Sequence, residues 1–552
     1  MSAEKIVHHS YSSNSNYTEI MAGLPSTFKQ VKKLGDLLEI NYKHISVQEQ
    51  IRRNLSTRIK NGVTPFPGII GYESDVIPAL IRALLARHDV LLIGEIGQAK
   101  TRIAECVAKT LLSPIPVVEG SLTNDVPTTI LEEDLVTMLC DKEIRRTQPE
   151  FTVSNECENS IRNNKLETRI KWVEGSDRYR YLLATPDISV KDLVGQIDAM
   201  KIAKKGVEIY DIESYSPGYL LQAHHGMLCI DELPVLDPRK QVALLSVLQE
   251  GKFTTGSYPI TFKPDVKVFA TANPTDYTHS GRIIEPLSDR LRSHIKTHYP
   301  VSLEEEILII IQETRIANSL RVFVPVFILK TLAVLVQLAR ARDEINHEKG
   351  VSVRMGVHSM ELLISESERT RSLLHTVLTI PRYSDFDSIH QAVKFELSDM
   401  EDSYETRSKL LGMLIDEALK KVSLTYLDFV DPLELQDIRK DFFENSKFII
   451  SQNMLGIDPS ASSDYDIQLR KFPYLHRVIL KIIDRILKEQ DEFIKGTRKH
   501  GINAQLISIP SKLDGELIAS ASELVLEGLT WTEPAILEKK NHNEYGLRNP
   551  ND

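Results

Sequence analysis

The stretch GEIGQAKT, Gly94 to Thr101, follows the apolar run DVLLI and opens a segment, TRIAECVAKTLL, whose Ile103, Val107 and Leu111 recur at helical spacing. Strand, glycine-bearing turn and helix in that order restrict the chain to folds in which the end of a buried strand meets a helix N-terminus. In such a turn the backbone amides hold phosphates, the lysine neutralises the outer ones, and the hydroxyl after it coordinates Mg2+. Lys100 and Thr101 stand at these two places, and Gly94, Glu95, Ile96, Gly97, Gln98, Ala99 and Arg102 complete the loop. The pattern G-x-x-x-x-G-K-[ST] asks for glycine where Ala99 stands. The expectation is that Ala99 lies near the helical region, where a methyl group carries no positive-φ penalty, while Gly94 and Gly97 make the sharper bends. Alone, the stretch leaves open a chance turn with a surface lysine, because short motifs recur by accident.

Two further stretches bear on that choice. In HHGMLCIDEL a short buried strand ends at Ile230, and Asp231 and Glu232 emerge together at its C-terminal edge, where ligands of open α/β sheets bind. Asp231 is placed to hold Mg2+ through water, and Glu232 to polarise an attacking water. Either carboxylate could instead start the helix that follows, although Asp237 is the better cap. In VKVFATANPTD a β-rich run ends at Asn273, whose amide could orient water beside a terminal phosphate; an Asn before Pro is also commonly a plain turn.

At 552 residues the chain exceeds one compact core, so three or four structural units are expected. We divide it into a helical lead-in, 1–63; an α/β nucleotide-binding domain, 64–300, interrupted by a charged surface insertion at about 121–181; a helical lid, 301–384; and a C-terminal helical domain with a polar tail, 385–552. The runs DVLLI, PIPVVE, GMLCID and VKVFATA supply the expected parallel strands. Further on, YLHRVILKIIDRILKEQ carries one apolar stripe, Leu475, Val478, Ile479, Ile482, Ile483 and Ile486. A net charge of −10 argues against nucleic acid as partner. Four scattered cysteines without C-x-x-C spacing suggest neither a zinc site nor disulfides. No run of about 18 apolar residues and no basic-then-apolar leader is present, so no membrane is expected and the cytoplasm is the default.

Taken in order, GIIGYE, GEIGQAKT, ATPDISVKDLVGQID, SPGYLLQAHHGMLCIDEL, LQEGKFTTG, FATANP and EPLSDRLRSHIKTHYP resemble AAA+ ATPases of the MoxR and magnesium-chelatase ATPase-subunit type, over about residues 64–370. The resemblance implies a P-loop parallel sheet with a helical lid, ATP and Mg2+ as cofactors, and assembly into a homo-oligomeric, hexameric ring. It implies that alanine at 99 is a tolerated variant, that Ile69, Ile70 and Gly71 belong to the adenine pocket, and that Asn273 is a first sensor. Arg290 becomes the finger reaching a neighbouring subunit's ATP, with Arg282 and Arg292 as rivals and a surface salt bridge as the plain alternative. Arg354 matches a loosely defined second sensor or an ordinary helix-start arginine. AMKIAKKGVEIYD and GKFTTGSYPITFK correspond to projecting hairpins that contact a partner, or to solvent hairpins.

The leading functional expectation is a ring ATPase that remodels or activates a protein partner, and the resemblance implies a partner bearing a von Willebrand A-type domain. A narrower version is the ATPase motor of a magnesium or cobalt chelatase. A different class is a non-hydrolysing, nucleotide-gated scaffold, against which the presence of Glu232 and the finger candidates counts. A nucleic-acid motor would require basic pore hairpins.

Overall fold

The computed structural model describes residues 28–140, 150–151, 153–197, 200, 202–203, 215–254, 261–274, 282–317, 319–346, 350–373, 377–391, 395–397, 403–445, 447–450, 462–510, 515–541 and 544–548. They form two compact units. The first comprises residues up to 94 together with 99–298, and the second comprises 95–98 together with 299 onward.

The first unit is built on a parallel sheet, five-stranded among the described residues. Its strands are β1 (Val90–Ile93), β2 (Tyr179–Leu183), β3 (Gly226–Asp231), β4 (Val266–Ala272) and β5 (Ser293–Lys296), in the order β5-β1-β4-β3-β2. All four pairings are parallel. β1, β3 and β4 are buried along nearly their whole length, as their unbroken apolar runs require of strands covered on both faces. One face packs Leu91, Leu228, Ile230, Val268 and Ala270 against the helix Pro238–Glu250; the other packs Val90, Leu92, Met227 and Phe269 against the helices Val47–Lys60 and Lys100–Leu111.

Three sequence readings need correction here. PIPVV is a strand, Ile115–Val118, but it pairs antiparallel with Ile170–Val173 in a separate two-stranded sheet. The fifth place in the central sheet is taken by β2. Its pattern is mixed because it lies at an edge, with Tyr181 and Leu183 each 43% exposed. The stretch at about 121–181 is more than a surface insertion, since Ile130, Leu135, Met138, Cys157 and Ile161 form a small core with Leu34 and Leu38. The helix Val47–Lys60, read as lead-in, buries Val47, Ile51 and Leu55 in the same core as β1. Of the two projecting hairpins, AMKIAKKGVEIYD lies almost entirely outside the described residues. GKFTTGSYPITFK contributes antiparallel strands Phe253–Thr254 and Thr261–Phe262, with 255–260 outside them.

In the second unit, helices from 301–384 and from 385–552 pack together. The helix Val326–Ala341 lies against Tyr404–Leu427 and Pro473–Lys499, and Tyr404–Leu427 lies against Gly515–Trp531. The stripe on Pro473–Lys499 is buried, from Leu475 through Ile486. The polar tail is corrected to structure. Leu537–Asn541 and Glu544–Leu547 form an antiparallel sheet with Lys447–Ile449, because Tyr545 points inward and donates to Glu527 Oε2 at 2.7 Å. Glu527 is buried on the helix Gly515–Trp531, and this phenol joins Trp531 Nε1 at 3.2 Å and Lys539 Nζ at 3.5 Å in satisfying its carboxylate. No helix among the described residues is long and apolar enough to cross a membrane.

Candidate functional site

Three neighbouring strands, β1, β4 and β3, end at one edge of the sheet and there deliver Gly94, Asn273 and Asp231. The β1 exit is tied down by the Gly94 N–H, which donates to the Ala272 carbonyl at 3.0 Å. The loop then turns through Gly97 at φ 83° and Ala99 at φ 56°, ψ 18°, before the helix Lys100–Leu111 begins. At the tip, Glu95 N–H donates to Gln98 Oε1 at 3.0 Å, while Ile96 is 47% exposed.

Ala99 therefore departs from expectation: its backbone is left-handed, not helical. The next residue must start the helix with its N–H directed into the loop, and the left-handed turn at 99 sets that direction for any side chain. Successive amides in such alternating conformations form a concave anion cradle. A β-carbon in this region costs about 1–2 kcal/mol, partly offset by the greater freedom glycine has when unfolded, about 0.4–1 kcal/mol. Ala99→Gly should accordingly stabilise the protein by up to about 1 kcal/mol, read as a higher urea midpoint at unchanged slope; a lower midpoint would refute the left-handed assignment.

Lys100 is buried. Its ammonium donates to the Gly94 carbonyl and, at 2.7 Å, to Asn273 Oδ1, which places a cation at the strand ends. The neighbouring Thr101 Oγ1 donates to Asp231 Oδ2 at 3.3 Å. Two more hydroxyls orient that carboxylate: Tyr181 donates to Oδ2 at 2.8 Å, and Thr271 donates to Oδ1. Desolvation, reinforced by the bond to Asp231, pushes the Tyr181 phenol above its ordinary range, which keeps it a donor. Thr271 Oγ1 in turn accepts the Glu232 N–H at 3.0 Å, which fixes Glu232 in a left-handed turn at φ 56° just beyond the strand. The helix Pro238–Glu250 is capped by Asp237, which accepts from Arg239 N–H at 2.9 Å. Asp237 and not Glu232 thus performs the capping.

Neither Tyr181 nor Thr271 was among the sequence candidates. Thr271 had a signal, because in A-T-A-N it stands two residues before Asn273 and so shares a face of β4. Tyr181 had none, being on a strand that the apolar pattern did not reveal.

Of the remaining candidates, Ile69 and Ile70 are buried, and Ile69 packs in the core that holds Leu92 and Ile103. Gly71 takes φ 81°, and Tyr72 after it donates to the His298 carbonyl at 2.8 Å. Arg102 is half-buried on the helix that follows the loop. Arg290 ends the short helix Glu285–Arg290, which packs against Pro238–Glu250 and does not enter the hydrogen-bonded cluster; Arg282 and Arg292 are exposed. Arg354 belongs to the second unit, where it is exposed and begins the helix Arg354–Ser367.

The family model described as the Sigma-54 interaction domain matches residues 211–295, the stretch that carries β3, β4 and Arg290. Among curated relatives, magnesium-chelatase subunit ChlI of Nostoc sp. (strain PCC 7120) is 26% identical over 239 residues, 43% of this chain and 54% of the relative. These matches support a resemblance to AAA+ ATPases of the magnesium-chelatase and MoxR type. An uncharacterized Bacillus subtilis protein, YeaC, is 25% identical over 218 residues, 36% of this chain and 63% of that protein. The chain thus spans between half and two thirds of the length of these two relatives. A solved structure of the complex between subunits BchI and BchD of magnesium chelatase is 22% identical, covering 46% of this chain and 68% of its own, with a TM-score of 0.31.

Proposed function

We propose that the chain is a Mg2+-dependent ATPase that works as a homo-oligomeric, hexameric ring in the cytoplasm and uses turnover to remodel or activate a protein partner. The observation that carries this reading is the pair of contacts Lys100–Asn273 and Thr101–Asp231, which gathers a cation, an amide, a hydroxyl and a carboxylate at adjacent strand ends. The oxygens of Thr101 and Asp231 fit Mg2+, a hard cation that keeps most of its waters and takes few protein ligands. Bound there, Mg2+ would supply positive charge to the outer phosphates.

The chain's own residues account for the remaining steps. The amides of residues 97–101 and the helix N-terminus hold the phosphate oxygens, and Lys100 supplies positive charge to the terminal one. Glu232, beside Asp231, orients water and accepts its proton. Asn273 positions that water or the terminal phosphate, and Ile69 to Gly71 line the base. Arg290 reaches the ATP of the neighbouring protomer, and Arg354 contacts nucleotide from the lid. A partner with a von Willebrand A-type domain suits this branch of the family.

The in-trans role of Arg290 has a direct test. Arg290→Ala should assemble yet hydrolyse ATP slower by a factor of about a thousand or more, since an arginine finger contributes about 10³ to 10⁵ in turnover. Mixed with Lys100→Ala, it should regain activity above the sum of the two, because one interface type then combines an intact loop with an intact arginine. Mixtures that never exceed the sum would transfer the role to Arg282 or Arg292.

A second reading, the motor of a metal chelatase, is favoured by the ChlI relative. Stimulation of ATP turnover by a von Willebrand A-type protein without tetrapyrrole supports the remodelling role; stimulation only in the presence of tetrapyrrole supports the chelatase. A nucleotide-gated scaffold is the reading left if the folded, assembled protein hydrolyses nothing.

A further inference from the structure

At the opposite end of β3 and β4, away from the loop, three side chains converge, with a long hydrogen bond between His225 Nδ1 and Asp265 Oδ2 at 3.4 Å. Asp265 immediately precedes β4, His225 immediately precedes β3, and His44 lies just before the helix Val47–Lys60. Their ligating atoms all lie within 4.8 Å of one another. His225 Nδ1 is 3.4 Å from Asp265 Oδ2, and His44 Nε2 is 3.8 Å from the same oxygen. An imidazole–carboxylate hydrogen bond is shorter, about 2.7–2.9 Å. Two ligands of one tetrahedral zinc ion, with bonds of about 2.0–2.1 Å, stand roughly 3.3 Å apart, which matches the shorter of these spacings and approaches the longer.

Among the described residues His44 Nε2, the nitrogen that faces Asp265, is buried without a hydrogen-bond partner, an expensive condition that a cation at this point would relieve. The surrounding contacts hold the three groups in place. Asp265 Oδ2 accepts the Val47 N–H at 2.9 Å, and Asp265 N–H donates to His224 Nδ1 at 2.9 Å. The fully buried Arg178 donates through Nε to the His225 carbonyl at 2.6 Å. Such bracing of ligands by outer contacts is a feature of metal sites. Burial also pulls both histidines below their ordinary pKa, toward the neutral ligating form.

We propose that His44, His225 and Asp265 form a structural site for a borderline divalent cation of the zinc class, completed by water, which fastens the helix Val47–Lys60 to the base of the two strands that bear Asp231, Glu232 and Asn273. Two imidazoles and one carboxylate suit Zn2+, with Co2+ as a spectroscopic substitute, rather than Mg2+, which prefers oxygen alone. β3 and β4 have six and seven residues, so this site lies roughly 20 Å from the loop at about 3.3 Å per residue, and is separate from the Mg2+ position.

The test uses the full chain, stripped with a chelator and titrated with Zn2+ or Co2+. One equivalent should bind; Co2+ should give the visible absorption of a four-coordinate ion, and Zn2+ at a hundredfold excess over its Kd should raise the thermal midpoint by about 5 °C. His44→Ala, His225→Ala and Asp265→Asn should each abolish both effects. His44→Cys should keep binding and add a thiolate-to-cobalt charge-transfer band, which separates lost ligation from misfolding. The double variant His8→Ala/His9→Ala should bind as the parent does. Absence of stoichiometric binding, binding that survives the three ligand substitutions, or binding that disappears with His8 and His9 would overturn the assignment.

Discussion

Lys100→Ala should lower ATP affinity at least a hundredfold, measured by calorimetry on the folded variant. A hundredfold corresponds to about 2.7 kcal/mol, and a unit charge pair 4 Å apart is worth about 4 kcal/mol at an effective dielectric constant of 20, so one lost ammonium suffices. The ammonium is already buried at the strand ends and held by Gly94 and Asn273, so little rearrangement is needed before it meets a phosphate. The substitution also removes a donor from two oxygens in the loop's floor, at a cost of about 1–3 kcal/mol to the unliganded fold if water does not replace it. A melting curve must therefore accompany the titration. Undiminished affinity in a variant that melts cooperatively would remove Gly94–Thr101 from the nucleotide site.

The central strands were legible because each is buried on both faces: VLLI, GMLCID and VKVFATA are unbroken apolar runs, and solvent leaves no second pattern on them. The same logic misled at PIPVV, where apolar residues serve a small separate sheet. Periodicity reports burial, not the sheet in which a strand is buried. Edge strand β2 alternates exposed and covered positions too weakly to stand out. Likewise the strand at Glu544–Leu547 is read as tail because its one deeply inserted side chain, Tyr545, reaches a carboxylate rather than an apolar neighbour.

For the site, local order was enough to bring residues 173 positions apart into contact, as Lys100 and Asn273 show, because both follow directly from strand ends. What escaped was anything set by backbone torsion or by a neighbouring strand. Ala99 and Glu232 both adopt left-handed turns, a conformation no side chain announces, and Tyr181 meets Asp231 only because β2 lies beside β3. His44, His225 and Asp265 were invisible for a related reason. They precede three different elements, and no spacing links them before the sheet assembles.

Glu232→Gln should retain ATP and reduce hydrolysis by a factor of about 10² to 10⁴, the usual contribution of a positioned acid–base group. The amide matches the carboxylate in size, and the left-handed turn at 232 is held through the main chain, by N–H donation to Thr271 Oγ1. Fold, nucleotide affinity and assembly should therefore be unchanged. The variant loses only the capacity to take a proton from water. Asp231 supplies the contrast, because its side chain is held by Thr101, Tyr181 and Thr271 and is the carboxylate proposed to hold Mg2+. Asp231→Asn should weaken Mg2+-dependent affinity as well as turnover, whereas Glu232→Gln should leave affinity intact. This split distinguishes a metal-holding carboxylate from a proton acceptor although the two are adjacent in sequence. Normal turnover in Glu232→Gln, or equal losses of affinity in both variants, would show that the two roles are not divided between these residues.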